Sequence, residues 1–212
     1  MNLNRHGATA FAGLLLFAAG CGSTAAVPQI DYTNTDGYHT AEFKDDAQAN
    51  TQISSGEFPL AFVDAEGNPV DLTRFRGHQK VVLVVLRGMP QQYKGSFCPT
   101  CLAQAGSLMA NKEEFVKRQA EVLVVFPGPS ERVGEFLRKA KVHTPGEPDT
   151  AFRVLLDKEC TACSQLGIRD DLAKPSTYIL DTHGNVVFAY VGETSTDRPS
   201  VKAILAQLDK AE

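Results

Sequence analysis

An α/β fold, with a central mixed sheet, helices on both of its faces and an N-terminal β-hairpin, follows from three observations. Two apolar runs, Lys80–Leu86 and Glu121–Phe126, have the composition of strands buried on both sides. Between them Leu102–Arg118 is free of Pro and rich in good helix formers, so the order is strand, helix, strand. Near the end, Thr177–Asp181 and Val186–Val191 flank the turn Thr182-His183-Gly184-Asn185, and a last helix is expected from about Pro199 to Lys210.

Each element has its own signal. Arg5 and His6 precede an apolar stretch from Ala8 to Ala19, too short to cross a bilayer and bounded by small residues, so residues 1–20 read as a secretory signal peptide. Ala18-Ala19-Gly20-Cys21 resembles a bacterial lipoprotein cleavage box, with Cys21 as the lipid-bearing first residue; an incidental thiol after an ordinary signal is the alternative. The expected location is outside the cytoplasm, on the periplasmic side of a bacterial membrane, with the membrane a partner through the lipid. Residues 21–51 are polar and without period, which predicts a flexible tether, and the folded domain is expected over 52–212. Phe58–Val63 alternates, turns at Glu66-Gly67-Asn68-Pro69 and returns through Val70–Leu72, making the hairpin. Pro127-Gly128-Pro129 stops the second buried strand, and Ser130 is expected to cap a helix carrying Val133, Phe136, Leu137 and Ala140. Phe152–Leu156 reads as a third strand and Lys158–Leu166 as a short helix.

The chemistry is concentrated in Cys98-Pro99-Thr100-Cys101, two thiols one helical turn apart where a strand feeds a helix. Unpaired amides and the positive end of the helix dipole favour a thiolate there. Cys98 is therefore expected to attack and Cys101 to resolve. A structural disulfide or half of a metal site is the competing reading. With 212 residues, 43% hydrophobic content and a net charge of −4, the chain supports one core and has no basic footprint, so nucleic acid is not an expected partner. No phosphate-binding loop or HExxH motif occurs, and no cofactor or metal is expected.

The order of elements, the CxxC after the first long strand and Lys174-Pro175-Ser176-Thr177 leading into a hairpin strand resemble a thioredoxin-like fold. Asp71-Leu72-Thr73-Arg74-Phe75-Arg76-Gly77, Leu86-Arg87-Gly88 and Asp197-Arg198-Pro199-Ser200 resemble the peroxiredoxin-like branch, that of alkyl hydroperoxide reductase and thiol-specific antioxidant proteins. The resemblance covers about residues 52–210. It implies a substrate groove lined by Phe97, Pro99, Thr100 and Pro175, with a cis Lys174–Pro175 bond. It also implies a disulfide or peroxide substrate, on a protein or a small molecule, and a thiol electron donor. The sequence departs from the family where a peroxide-binding hydroxyl belongs, with Gly95 there, and Met89–Gly95 reads as an insertion. Aligned on Leu156-Asp157 and Gly167-Ile168, Cys160 stands where peroxiredoxins place a peroxide-polarising arginine. Hydrogen peroxide reduction is accordingly expected to be weak, with Arg87 and Arg153 the candidates to polarise the peroxide.

Cys160-Thr161-Ala162-Cys163 is a second CxxC. Three readings stay open: an auxiliary dithiol near the first pair, a structural disulfide, or a zinc site of four cysteines shared with Cys98 and Cys101. The 58 residues between the pairs exceed the spacing of a zinc ribbon, roughly 15–20, so zinc ranks last. The overall expectation is an exported CxxC oxidoreductase of peroxiredoxin-like type, against the alternative of a non-catalytic structural or metal-binding module.

Overall fold

The computed structural model describes residues 43–54, 56–89, 96–140, 152–171 and 173–211. The expected signal peptide, Cys21, most of the expected tether and the segments 90–95 and 141–151 lie outside them.

The first element among the described residues is β1 (Phe43–Lys44), and the hairpin follows as β2 (Ala61–Asp64) and β3 (Pro69–Asp71). A 3-10 turn, Leu72–Phe75, is capped by Asp71, whose carboxylate accepts from the Thr73 amide at 2.8 Å. β4 (Lys80–Val85) leads to α1 (Pro99–Ala110) and α2 (Lys112–Lys117). Then come β5 (Ala120–Phe126), α3 (Val133–Lys139), β6 (Arg153–Leu156) and α4 (Thr161–Gln165). The chain closes with β7 (Ser176–Leu180), β8 (Val186–Val191), β9 (Arg198–Pro199) and α5 (Val201–Leu208).

Among the described residues the main sheet has seven strands in the order β3-β2-β6-β5-β4-β7-β8. β4, β5 and β6 run parallel at its centre, where both faces are covered, which is why their sequences are continuously apolar. One face packs Val82, Val84, Val122 and Val124 under Leu108, Phe115, Phe136, Ile204 and Leu208, side chains of α1, α2, α3 and α5. On the other, Val81, Leu83, Leu123 and Leu155 cluster with Phe62 of the hairpin, Leu72 and Phe75 of the 3-10 turn, Ala162 of α4 and Leu166 just after it. From β6 the chain must pass back across β5 and β4 to reach β7. It does so on this second face, which is what puts α4 there.

Three elements differ from the sequence expectation. The helix expected over Leu102–Arg118 breaks at Asn111, whose backbone leaves helical values at φ −115° and ψ 19° and whose side-chain amide donates to the Ser107 carbonyl at 2.9 Å. Asn competes with helical bonding in this way. Ser130 starts a 3-10 turn, Ser130–Arg132, and makes no cap bond. Residues 43–51, expected as the end of a tether, are bound to the domain. β1 pairs in parallel with β9, and Asn50 brackets β8, donating to the Val191 carbonyl and accepting from the Val191 amide, each at 2.8 Å.

Candidate active site

Cys98 sits at the N-cap of α1, after the end of β4, with Pro99 in the first turn, where the missing N–H of proline leaves no helical bond unmade. Gly88, between β4 and the site, has φ +90°, and a Cβ on it would stand 2.6 Å from the Pro127 carbonyl oxygen, so only glycine lets the two loops meet there. Both thiols are buried and outside any disulfide, with Cys98 2% and Cys101 1% exposed. Phe97 packs on Phe126 and Phe136, with ring centroids 6.4 and 5.6 Å away, and the cations of Arg132 and Lys139 lie over its ring at 5.0 and 5.5 Å.

The charge that organises the site comes from far along the chain. Arg198, 1% exposed, donates from Nη2 to Cys101 Sγ at 3.2 Å, to Thr100 Oγ1 at 3.4 Å and to the Ser195 carbonyl at 3.2 Å. Its Nε also donates to the Ser195 carbonyl at 3.2 Å, and its Nη1 to Gln104 Oε1. Thr100 Oγ1 lies 3.1 Å from Cys98 Sγ and 2.9 Å from the Ser195 carbonyl. Thr100 has one proton for two acceptors. Because Arg198 already serves the Ser195 carbonyl, Thr100 is free to turn that proton to a Cys98 thiolate.

The two sulfurs are driven apart electrostatically. A hydrogen bond from the Cys101 thiol, with help from the Arg198 charge, Thr100 and the Cys101 amide, lowers Cys98 to about 5 against the opposing effect of burial. Burial first, and then the bond it gives to Cys98, raise Cys101 well above the ordinary thiol range. Cys98 is thus the readier of the two to ionise, with Cys101 one turn deeper in α1.

Other residues singled out in the sequence fall as follows. The Lys174–Pro175 bond is trans, correcting the expected cis peptide, and the Pro175 carbonyl accepts from the Gly192 amide at 2.8 Å. Arg87 reaches the site through its backbone, its amide donating to Cys101 Sγ, while its Nε is buried without a hydrogen-bond partner among the described residues. Arg153 opens β6, away from the level of Phe126, and its charge acts on Asp64. Cys160 and Cys163 pack on the opposite face of the sheet from Cys98 and Cys101. The expected proximity of the pairs is therefore corrected, and the described residues assemble no four-cysteine cluster. Arg198 escaped assignment. Its motif is legible as a family marker, but it stands 97 positions from Cys101 and no local pattern ties the two.

Fold and site together define a thioredoxin-like oxidoreductase. More narrowly, the chain belongs to the AhpC/TSA family, whose model matches residues 50–189. It is 29% identical over 145 residues to chloroplastic peroxiredoxin Q of Sedum lineare, covering 66% of this chain and 69% of that one. Among solved structures it resembles peroxidoxin BcpB of Mycobacterium tuberculosis, with TM-score 0.58 at 20% identity over 78% of this chain and 97% of the other. Peroxiredoxin 6 of Arenicola marina superimposes with TM-score 0.63 at 15% identity, over 75% and 73% of the two chains.

Proposed function

We propose that this chain is a peroxiredoxin-like thiol peroxidase that works through a CxxC dithiol. The observation that carries the reading is the buried Arg198 guanidinium, held on Cys101 and Thr100 directly beside Cys98. Cys98 thiolate attacks the terminal oxygen of a peroxide, the O–O bond breaks, and the leaving oxygen departs as alcohol or water once protonated. Arg198 and Thr100 are the donors that stabilise charge passing from sulfur to oxygen. Cys101 then attacks the Cys98 sulfenic acid, releasing water and forming the Cys98–Cys101 disulfide, which an external dithiol reduces. Arg198 here takes the role expected of Arg87 or Arg153 in polarising the peroxide, and the expected weakness toward hydrogen peroxide is what the rapid-mixing test measures. Disulfide substrates use the same thiolate and form the second substrate class. The location proposed is the periplasmic side of a bacterial membrane, with Cys21 lipidated; Cys21→Ser should move the protein from the membrane to the soluble fraction, and retention on the membrane would refute the anchor.

The test is rapid-mixing kinetics of the reduced protein with hydrogen peroxide and an alkyl hydroperoxide. In Cys101→Ser, a Cys98 sulfenic acid should be trapped by a dimedone-type reagent after one equivalent of peroxide. A peroxide rate no faster than free cysteine, with no trapped sulfenic acid, would overturn the reading and leave disulfide exchange alone.

A further inference from the structure

The second CxxC takes no part in the site just described, yet it is built with comparable care. Cys160 is partly exposed and holds φ +52°, a left-handed conformation that a residue with a Cβ adopts only against strain. Cys163, one turn into α4, is fully buried. The two thiols share a hydrogen bond. Asp157, 7% exposed, is pinned by the amides of Ala162 at 3.1 Å and Cys163 at 3.0 Å, and it also accepts a hydrogen bond from the Cys163 thiol. An outer sulfur, an inner sulfur and an oxygen base fixed on the inner one are the parts that dithiol exchange requires. They lie behind the sheet, out of reach of Cys98.

We propose that Cys160, Cys163 and Asp157 form a second dithiol–disulfide exchange centre, which reacts with low-molecular-weight disulfides independently of Cys98 and Cys101. Cys160 thiolate attacks one sulfur of the external disulfide, forming a mixed disulfide and expelling the first thiolate, which solvent protonates. Cys163 passes its proton to Asp157 and attacks Cys160 sulfur, closing the Cys160–Cys163 bond and expelling the second thiolate. Two electrons leave the protein and one external disulfide becomes two thiols. The groups facing these sulfurs are Asp157, Glu159 and Arg169 around α4 and Tyr178 from β7. Burial and then Asp157 raise Cys160, partly offset by Arg169, so the attack should quicken by roughly tenfold per pH unit above neutrality, following the thiolate fraction.

The experiment uses the full chain with Cys21→Ser, Cys98→Ser and Cys101→Ser, which leaves Cys160 and Cys163 as its only thiols. It is incubated with oxidised glutathione at pH 7, 8 and 9, acid-quenched, alkylated and weighed by mass spectrometry. The expected product has lost both thiols and carries no adduct. Cys163→Ser in this background should hold a stable glutathione adduct on Cys160, while Cys160→Ser should leave Cys163 unmodified. Asp157→Asn should slow closure at least tenfold, so that the adduct accumulates; if circular dichroism shows that variant unfolded, the order of events is read from the two serine variants. Two alkylatable thiols after incubation, an adduct on Cys163, or an adduct that never closes in the intact pair would overturn the proposal. So would a loss of Cys98 reactivity in Cys160→Ser/Cys163→Ser, because the two centres would then be coupled.

Discussion

The character of the Cys98 thiol is set first by the bond from the Cys101 thiol and then by the Arg198 charge. Removing the cation beside a buried thiolate raises its pKa on the order of one unit or more. Arg198→Gln should therefore move the midpoint of Cys98 alkylation up from about 5, read from iodoacetamide rates between pH 4 and 9. Cys101 should stay unreactive across that range. An unmoved midpoint would show that the Cys101 thiol and the α1 amides suffice without Arg198. The same shift has a stability consequence. Folded Cys98 releases its proton at about 5 while the unfolded thiol keeps it until ~8.5, so between those values the unfolded state holds more protons and stability rises with pH. The gain is complete above the unfolded value and is lost as pH falls through about 5. Urea titrations of the reduced protein from pH 5 to 8 should show this slope, and Cys98→Ser should lack it. Cys101 works in the opposite sense, costing stability in alkaline solution where an unfolded thiol would ionise and the buried one does not.

At the scale of elements, the N-terminal strap decides where Arg198 stands. β1 lies along β9, and Lys44 Nζ meets Asp197 Oδ1 at 2.9 Å, next in sequence to Arg198. Tyr190 from β8 donates to the same carboxylate oxygen at 2.5 Å, and the Glu193 amide donates to the other at 3.1 Å. Tyr190→Phe removes a bond to a buried charge, worth about 1.5–3 kcal/mol. It should also speed amide exchange in 43–50 and 194–199 and raise the Cys98 midpoint, while Phe preserves the packing. If stability falls and the midpoint stays, the strap is only structural. Helix α5 begins just after this loop, where Ser200 Oγ accepts from the Ala203 amide at 3.1 Å. Ser200→Ala should cost about 1 kcal/mol by denaturant titration.

Across the whole molecule the sheet separates the two cysteine pairs. The aromatic trio of Phe97, Phe126 and Phe136 covers one side near Cys98, with Phe126 and Phe136 centroids 5.3 Å apart. Phe136→Ala should cost about 3–5 kcal/mol in a denaturant titration and loosen the wall behind Phe97. Much of this architecture was readable in advance. The buried parallel strands announced themselves as Lys80–Leu86 and Glu121–Phe126 because two covered faces demand continuous apolar residues. The CxxC at the mouth of a helix likewise placed Cys98 at the N-cap and Cys101 one turn into α1, since those positions are consequences of local backbone geometry. What no local pattern contains is distance through space. The arrival of Arg198 at Cys101, the binding of residues 43–50 to the domain and the exile of Cys160 and Cys163 behind the sheet all follow from strand order. Which face a crossing takes, and which remote charge a closing loop delivers, is settled only when the strands pack.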